Sequence, residues 1–261
     1  MNLFNIFLYC MLGTAAVVFV ALFFVKAGYG IFQSKQWGAA INNRVGWVLM
    51  EFPVFLLMFG FLLFQAEKIG IEKIGVARIV IFTLFQMHYL QRAFIFPFLM
   101  KGNSKMPLSV MFMGVFFNIA NATMQGYWLF FESFNYSDKY LISWLSSTWF
   151  IVGTIIFLFG FVVNLHSDYI IRHLRKSPTD TKHYLPKGGM FNYVTSANYF
   201  GEIIEWLGFA VLTCSLSGFV FFVWTFANLV PRAFSIHKRY CEEFADEVKK
   251  KKLKAVFPLV F

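Results

Sequence analysis

Charged residues are scarce in this 261-residue chain. Asp, Glu, Lys and Arg make up 14% of it and 59% of the residues are hydrophobic, whereas about a quarter of a soluble domain is charged. This composition excludes an ordinary soluble domain. A transmembrane helix needs about 20 apolar residues, and we predict such spans near residues 3 to 25, 47 to 65, 75 to 99, 107 to 131, 143 to 165, 199 to 214 and 216 to 231. The prediction is an all-α integral membrane protein, a single domain (1–261) built as one bundle of seven transmembrane helices, with the last two spans forming a tight hairpin.

Cysteine is almost absent, and the residues of several common active sites are missing. Cys10, Cys214 and Cys241 have no C-x-x-C spacing, so no disulfide framework is predicted. The histidines form neither H-E-x-x-H nor the close pairs of membrane di-iron enzymes, so no metal site is predicted. A G-x-S-x-G motif is also missing, which gives no support to acyl transfer.

Positive charge is distributed unevenly along the chain, whose net charge is +10. Cytoplasmic segments of membrane proteins collect Lys and Arg. If the C-terminus is cytoplasmic, only Lys68, Lys73, Arg78 and Lys139 fall in segments on the opposite side. We therefore predict an outside or lumenal N-terminus and a cytoplasmic C-terminus, in a bacterial inner membrane or the endoplasmic reticulum. Topology and anionic lipid explain the excess positive charge, so no nucleic-acid partner is predicted.

Polar residues recur at helical spacing inside the apolar runs of the C-terminal half. Two rows have this spacing: Asn164, Asp168, Arg172 and Arg175, followed by Asn198, Glu202 and Glu205. Ionisable groups are costly in lipid, so such a face is a functional-site hypothesis. The arginine fork suits phosphate, and Arg172, Arg175 and Arg232 lie near predicted cytoplasmic ends of spans. The rows indicate a nucleotide site. The alternative is that the arginines pair with the acidic residues and only tie helices together.

A smaller polar group lies in the N-terminal half. Glu51 begins an apolar span, and Tyr89 and Arg92 are three residues apart on the next. A tyrosine oriented by a glutamate can hydrogen-bond a substrate carbonyl and stabilise an enolate oxygen. The alternative for Glu51 is a structural pair with Arg92. Asn121 and Gln125 are four residues apart, and for them we favour hydrogen bonds between helices over lining a cavity.

Several stretches of the chain closely resemble the steroid 5α-reductases. They are EFP (51–53), HYLQR (88–92), NLHSDYIIRHLRK (164–176), YLPKGGMF (184–191), NYFGEIIEW (198–206), PRAF (231–234) and FPLVF (257–261). Members of that family often carry glutamine before the glutamate, where this chain has Met50. Histidines commonly follow R-A-F, where it has Ser235 and Ile236.

The resemblance implies an NADPH-dependent reductase of 3-oxo-Δ4-steroids, with residues 1–131 mainly binding substrate and 132–261 mainly binding NADPH. Glu51 and Tyr89 would polarise the 3-ketone while hydride passes to C5, and Trp47 would pack near the steroid or the nicotinamide. The steroid would enter from the bilayer, and no oligomeric state is predicted. The cofactor would be lined by Asn164, Asp168, Arg172, Arg175, Tyr184, Asn198, Glu202, Arg232 and Tyr240.

Other functions stay open at this stage. The nearest is a related membrane reductase of another conjugated lipid, such as an enoyl thioester or a polyprenal. An isoprenylcysteine-type membrane methyltransferase also binds a nucleotide-like cofactor near its C-terminal helices, and a non-enzymatic lipid or sterol binding protein is a third alternative. Neither of these two needs a pair of side chains that grips a ketone.

Overall fold

A computed structural model describes residues 2–25, 37–102, 104–136, 139–175, 180, 182–258 and 260. The predicted cytoplasmic charges Lys26 and Lys35 lie outside the described residues. Within them the helices are α1 (Leu3–Phe24), α2 (Asn43–Ile69), α3 (Val76–Leu90), α4 (Phe96–Leu99), α5 (Leu108–Phe130), α6 (Thr148–His173), α7 (Ala197–Thr213), α8 (Leu216–Glu243) and α9 (Ala245–Lys251). Two short strands, β1 (Ala40–Asn42) and β2 (Lys105–Pro107), pair antiparallel. The all-α prediction is confirmed.

Six helical segments of the described residues are long and apolar enough to cross a membrane. They are Leu3–Phe24, Asn43–Ile69, Val76–Leu99, Leu108–Asn135, Thr148–His173 and Leu216–Glu243. The chain is therefore a multi-pass membrane protein. Helix α7 has 17 residues, a rise of about 26 Å against a hydrocarbon core of roughly 30 Å. The seventh span and the orientation of the termini stay predictions.

Helices α7 and α8 form the predicted tight hairpin. Three helix ends differ from the predicted bounds: both ends of the span predicted at 143–165 and the end of the span predicted at 216–231. Cys214 adopts a left-handed conformation with φ 44° and ends α7, and the Ser215 side chain accepts a hydrogen bond from Gly218 N to begin α8. Helix α6 starts at Thr148, because residues Ile142–Ser146 form a 3₁₀ turn, and it continues to His173. Helix α8 continues through Pro231 to Glu243. Asp168 and Arg172 therefore lie on one uninterrupted helix with Asn164.

The described residues divide into two compact units. Unit A comprises residues 28–151, and unit B comprises residues 1–27 and 152–261. Helix α1 belongs with the C-terminal helices, since the Trp224 indole of α8 donates a hydrogen bond to Met11 O (2.8 Å) and Phe19 packs on Phe226. This division differs from the predicted halves, 1–131 and 132–261. The assignment of substrate to one half and NADPH to the other stays a prediction.

Unit A is organised around α2 and α5. The β1–β2 pair joins the segments that precede these two helices, and Asn43 N adds a hydrogen bond to Ser104 O at 3.1 Å. Helix α3 is held to α2 by a hydrogen bond from the Gln86 amide to Phe55 O (3.0 Å). A π-helical turn, Gln91–Ile95, follows α3. Such turns occur within helices, frequently at functional sites.

Unit B depends on a close approach of α6 and α7. A Cβ added to Gly201 would lie 2.5 Å from Asn164 N and 2.8 Å from Gly160 O. Cβ atoms added to Gly160, Gly153 or Gly208 would likewise meet the backbone of the opposite helix. Small residues allow membrane helices to approach until their backbones touch. The antiparallel pairing brings the C-terminal end of α6 against the start of α7, where both polar rows lie.

We expect Gly201→Ala to separate α6 from α7. Alanine normally stabilises a helix relative to glycine, but here its methyl group meets backbone atoms that cannot move aside. Overpacking of this kind costs about 1–3 kcal/mol, so the melting temperature in detergent should fall by several degrees. Gly13→Ala on α1 is the control, because nothing lies within 4 Å of its added Cβ. Equal stability of the two variants would contradict the close backbone contact.

Candidate active site

Glu51 lies on α2 and is held by an amide of α5. Asn118 Nδ2 donates hydrogen bonds to Glu51 Oε2 (3.1 Å) and to Met50 O (2.7 Å). Pro53 follows two residues later inside the same helix, and proline removes one backbone donor from a helix. Asn118 is buried, whereas Glu51 is half-buried. Its carboxylate is thus fixed on one side and still partly open.

Tyr89 lies on α3 and is held by the next turn of α5. Its side chain is 3% exposed, and Asn121 Nδ2 donates a hydrogen bond to the phenol oxygen at 2.9 Å. Gln125 Nε2 in turn donates to Asn121 Oδ1 at 3.3 Å. The rings of Phe85 and His88 pack against the phenol, with centroids at 4.8 and 5.1 Å. Polar and aromatic contacts thereby hold a buried phenol in position.

The glutamate and the tyrosine are each hydrogen-bonded to α5, by residues one helical turn apart. Asn118 and Asn121 are three residues apart, which places their Cβ atoms about 5–6 Å apart on one helix face. Asn118 reaches α2 and Asn121 reaches α3. Unit A therefore presents a carboxylate and a phenol on neighbouring helices, at the same level of the unit.

Trp47 packs against a buried arginine. The Arg92 guanidinium carbon lies 4.6 Å from the Trp47 ring centroid and 4.5 Å from that of Phe96. Arg92 belongs to the π-helical turn and is 9% exposed. A cation over an aromatic face is attracted by the ring quadrupole. The structure thus gives Trp47 an aromatic and cationic setting in unit A.

In unit B the two polar rows meet where α6 and α7 are closest. Asn164 is buried and its amide donates to the backbone oxygen of Asn198 at 2.9 Å. Asp168, one turn further along α6, is 5% exposed, while Asn198 and Glu202 are half-buried. Two carboxyl groups and two side-chain amides are therefore gathered at this end of the unit.

Arg172 in the last turn of α6 and Arg175, two residues beyond its end, differ in their surroundings. Arg172 is half-buried, and its Nη1 atom is buried without a hydrogen-bond partner among the described residues. Arg175 is exposed near the end of α6. Buried polar atoms are normally hydrogen-bonded, and a guanidinium nitrogen can only donate. Arg172 is thus a donor that still requires an acceptor.

The connection between α6 and α7 is fastened to the C-terminal part of unit B. Thr195 N donates to Lys254 O (2.9 Å) and Ser196 N to Ala255 O (3.1 Å). Lys187 forms an ion pair with Glu247 of α9. These contacts fix the segment that leads into α7, and with it the position of Asn198.

Tyr184, Arg232 and Tyr240 have contacts of their own. Tyr184 donates its hydroxyl to Asp180 Oδ2 at 2.9 Å, and this hydrogen bond raises the pKa of Tyr184. Arg232 Nη1 bonds to Asn228 Oδ1 at 3.5 Å, one turn earlier on α8. Tyr240 packs against Leu185 and Leu253. Their predicted role beside a cofactor stays a prediction.

Comparison with known proteins gives a consistent result over most of the chain. The family model of the 3-oxo-5-alpha-steroid 4-dehydrogenases matches residues 104–261. A 3-oxo-5-alpha-steroid 4-dehydrogenase 1 of Bos taurus is 34% identical over 254 residues, covering 96% of this chain and 94% of the relative. The chain belongs to the 3-oxo-5-alpha-steroid 4-dehydrogenase family.

Relatives in this family come from distant organisms. A 3-oxo-5-alpha-steroid 4-dehydrogenase 2 of Sus scrofa is 36% identical, over 95% of this chain and 93% of its own. The steroid 5-alpha-reductase DET2 of Gossypium hirsutum is 35% identical, over 98% of both chains. The resemblance drawn from the motifs is confirmed, and the protein is an oxidoreductase. The methyltransferase and the non-enzymatic binding protein are therefore set aside.

Within this dehydrogenase family member, the structure groups some predicted site residues more tightly than others. Asn164 contacts Asn198 directly, and Asp168 and Glu202 lie one turn away from them on the same helices. In unit A, Glu51 and Tyr89 share α5 as a common support. The predicted interhelical bonding of Asn121 is confirmed, and its partner is the predicted catalytic tyrosine.

The sequence analysis missed Asn118. This residue holds Glu51, yet its helix is apolar around it, and a single asparagine by itself does not indicate a site. The spacing of Asn118, Asn121 and Gln125, by three and four residues, does indicate that they share a helix face. We call these three residues the amide row of α5.

Proposed function

We propose that the protein reduces the Δ4 double bond of 3-oxo-Δ4-steroids with NADPH. The observation that carries the proposal is the pair formed by Glu51 and Tyr89, which two amides of the same helix hold at one level of unit A. The names of the relatives, which are 3-oxo-5-alpha-steroid 4-dehydrogenases and a steroid 5-alpha-reductase, supply the substrate class.

Tyr89 is the residue proposed to donate a hydrogen bond to the steroid 3-ketone. When hydride reaches C5 of a Δ4-3-ketone, the negative charge moves to the ketone oxygen, and a proton is then taken up at C4. A preorganised donor in a site without water stabilises the developing oxyanion more strongly than the neutral ketone. Glu51 is proposed to contribute its carboxyl group to the same ketone site from α2, and Asn118 holds that carboxyl group in place.

The polar groups of unit B fit a dinucleotide phosphate. The buried Arg172 Nη1 needs an acceptor, and phosphate oxygens provide one in the bidentate geometry that arginine favours. Asp168 and Asn198 are suited to ribose hydroxyls and amide groups, and Arg175 adds positive charge at the exposed end. Glu202, Arg232, Tyr184 and Tyr240 complete the proposed set. When bound, NADPH supplies the hydride, and the protein supplies position and electrostatic field.

The proposed substrate suits the membrane setting. A steroid is apolar enough to reach the protein through lipid, and the spans that carry Glu51 and Tyr89 are predominantly hydrocarbon-like. The ketone would then be the one polar group that needs a partner inside the bilayer. NADPH, which is highly charged, would come from the aqueous side on which the arginines are predicted to lie.

Turnover by the purified protein tests the proposal. The detergent-solubilised chain is supplied with NADPH and a panel of 3-oxo-Δ4-steroids, an enoyl thioester and a polyprenal. We expect NADPH oxidation together with 5α-reduced steroid, identified by mass and stereochemistry. Reduction of the thioester or polyprenal alone would replace the substrate proposed here and leave the oxidoreductase assignment intact.

We expect Tyr89→Phe to reduce steroid turnover by at least 100-fold, which is the usual effect of removing one oxyanion donor. Glu51→Gln should also reduce turnover, because the proposed ketone site includes this carboxyl group. Affinity for NADPH, measured by fluorescence titration, should change little because the substituted groups belong to unit A. Glu67→Gln and Tyr127→Phe are matched controls, since both are exposed and lie on α2 and α5. Normal turnover in both site variants would remove Glu51 and Tyr89 from the mechanism.

We expect Arg172→Gln to weaken NADPH binding. A hydrogen bond to a charged group contributes about 1.5–3 kcal/mol, which corresponds to a Kd increase of roughly 10- to 100-fold. Arg172→Lys should restore only part of the affinity, because lysine keeps the charge but lacks the fork. Lys238→Gln, an exposed cation of the same unit, is the control. An unchanged Kd in Arg172→Gln would return this arginine to a purely structural role.

A further inference from the structure

We propose that Asn121 is a positioning residue that makes Tyr89 a hydrogen-bond donor toward the ketone. This inference rests on the proposed function and deepens it. Asn121 does not act on the substrate itself. It sets the direction of the phenol's single proton, and Gln125 sets the direction of Asn121.

The amide row fixes which atom of Asn121 faces the tyrosine. Gln125 Nε2 donates to Asn121 Oδ1, so the Asn121 amide nitrogen is the atom turned to the phenol, where it donates at 2.9 Å. An amide N–H cannot accept a hydrogen bond. The Tyr89 oxygen is therefore the acceptor in this contact, and its own proton points away from Asn121.

This polarity has a chemical consequence. Donation from Asn121 stabilises negative charge on the phenol oxygen, so the O–H bond becomes more polarised and a stronger donor. Asn121 is 0% exposed and Tyr89 is 3% exposed, and hydrogen bonds polarise one another most strongly away from water. The sequence from Gln125 through Asn121 to Tyr89 thus aligns three donors in one direction, ending where the ketone is proposed to bind.

A hydrogen bond that only joined α3 to α5 would not require Asn121 to be the donor and Tyr89 the acceptor. If Tyr89 donated to an acceptor on α5, the two helices would be joined equally well, but the proton would be consumed inside the protein. The direction of the hydrogen bond between Asn121 and Tyr89 distinguishes a positioning role from simple helix pairing. A substitution at Asn121 can reverse this direction with almost no change in side-chain shape.

Asn121→Asp replaces the donor nitrogen by oxygen at nearly the same volume. At high pH the carboxylate accepts from Tyr89 and takes the proton away from the ketone, so kcat should fall about 100-fold. Once the pH is low enough to protonate this carboxylate, the resulting acid can donate to the phenol again. Activity relative to the unmodified protein should therefore recover as the pH is lowered, with the steroid KM changing much less than kcat.

Gln125→Glu tests the same inference without touching either residue of the contact. A glutamate at this position favours the flipped amide of Asn121, whose Oδ1 then faces the phenol and accepts its proton. We expect a similar loss of kcat. This variant decides the question if Asn121→Asp does not fold, as judged by its elution and melting temperature in detergent.

Thr123→Val is the matched control on α5. Among the residues that the structure describes, the Thr123 hydroxyl bonds to Ile119 O of its own helix, so its loss should leave turnover and the pH profile unchanged. A binding measurement without turnover accompanies the kinetics. The ratio of Kd values for a 3-oxo-Δ4-steroid and an analogue lacking the 3-oxo group should shift at least 10-fold against the ketone in Asn121→Asp at high pH.

The outcomes separate the two proposals. No steroid reduction by the unmodified protein would overturn the proposed function and this inference together. Normal reduction by the unmodified protein, with an unchanged pH profile and ketone preference in the folded variants, would overturn the inference alone. A pH-dependent loss of kcat in Asn121→Asp, with Thr123→Val normal, would support both.

Discussion

Polar side chains buried among apolar helices must find hydrogen-bond partners, and this constraint organises both units. Neither water nor lipid can replace a missing partner inside the hydrocarbon region. In unit A the amide row of α5 meets the requirement for Glu51 and Tyr89. In unit B the contact of Asn164 with the backbone of Asn198 does so at the start of α7. The groups proposed to act on substrate and cofactor are placed by the same bonds that make their burial possible.

Close helix packing determines where those bonds can form. The glycines of α6 and α7 let the two backbones touch, and a side-chain amide as short as asparagine can then reach a main-chain oxygen across the interface. Larger residues at Gly160 or Gly201 would move the helices apart by more than such a bond can tolerate. In unit A an asparagine of α5, Asn118, likewise donates to a main-chain oxygen of α2, Met50 O, but the glycines of α5 face side chains of α2, Met50 at Gly114 and Phe61 at Gly126.

The sequence predicts much of this arrangement, because helical periodicity is a local property. Spans of apolar residues and polar steps of three and four gave the helices and grouped Asn164, Asp168, Asn198 and Glu202 correctly. Boundaries were less accurate where turn chemistry decided them, as at Ile142–Ser146. Asn118 was missed because its importance depends on which helix faces α5, and the pairing of α1 with α8 depends on contacts far apart in the chain. Spacing places Asn118 on the same face as Asn121 and Gln125, but it does not tell which residues of other helices that face contacts.

Hydrogen-bond direction adds information that residue identity does not carry. An asparagine at position 121 could either donate to a tyrosine or accept from it, and only the next link in the row, Gln125, distinguishes the two. Within a protein interior such a choice persists, because reversing it breaks two bonds at once at a site shielded from solvent. A residue that donates a hydrogen bond to a phenol oxygen therefore determines where the phenol's own proton points, and in this way it affects the chemistry of the phenol. In this fold the residues that determine the direction of the Tyr89 proton lie on α5, whose side-chain amides donate hydrogen bonds to Glu51 and Tyr89.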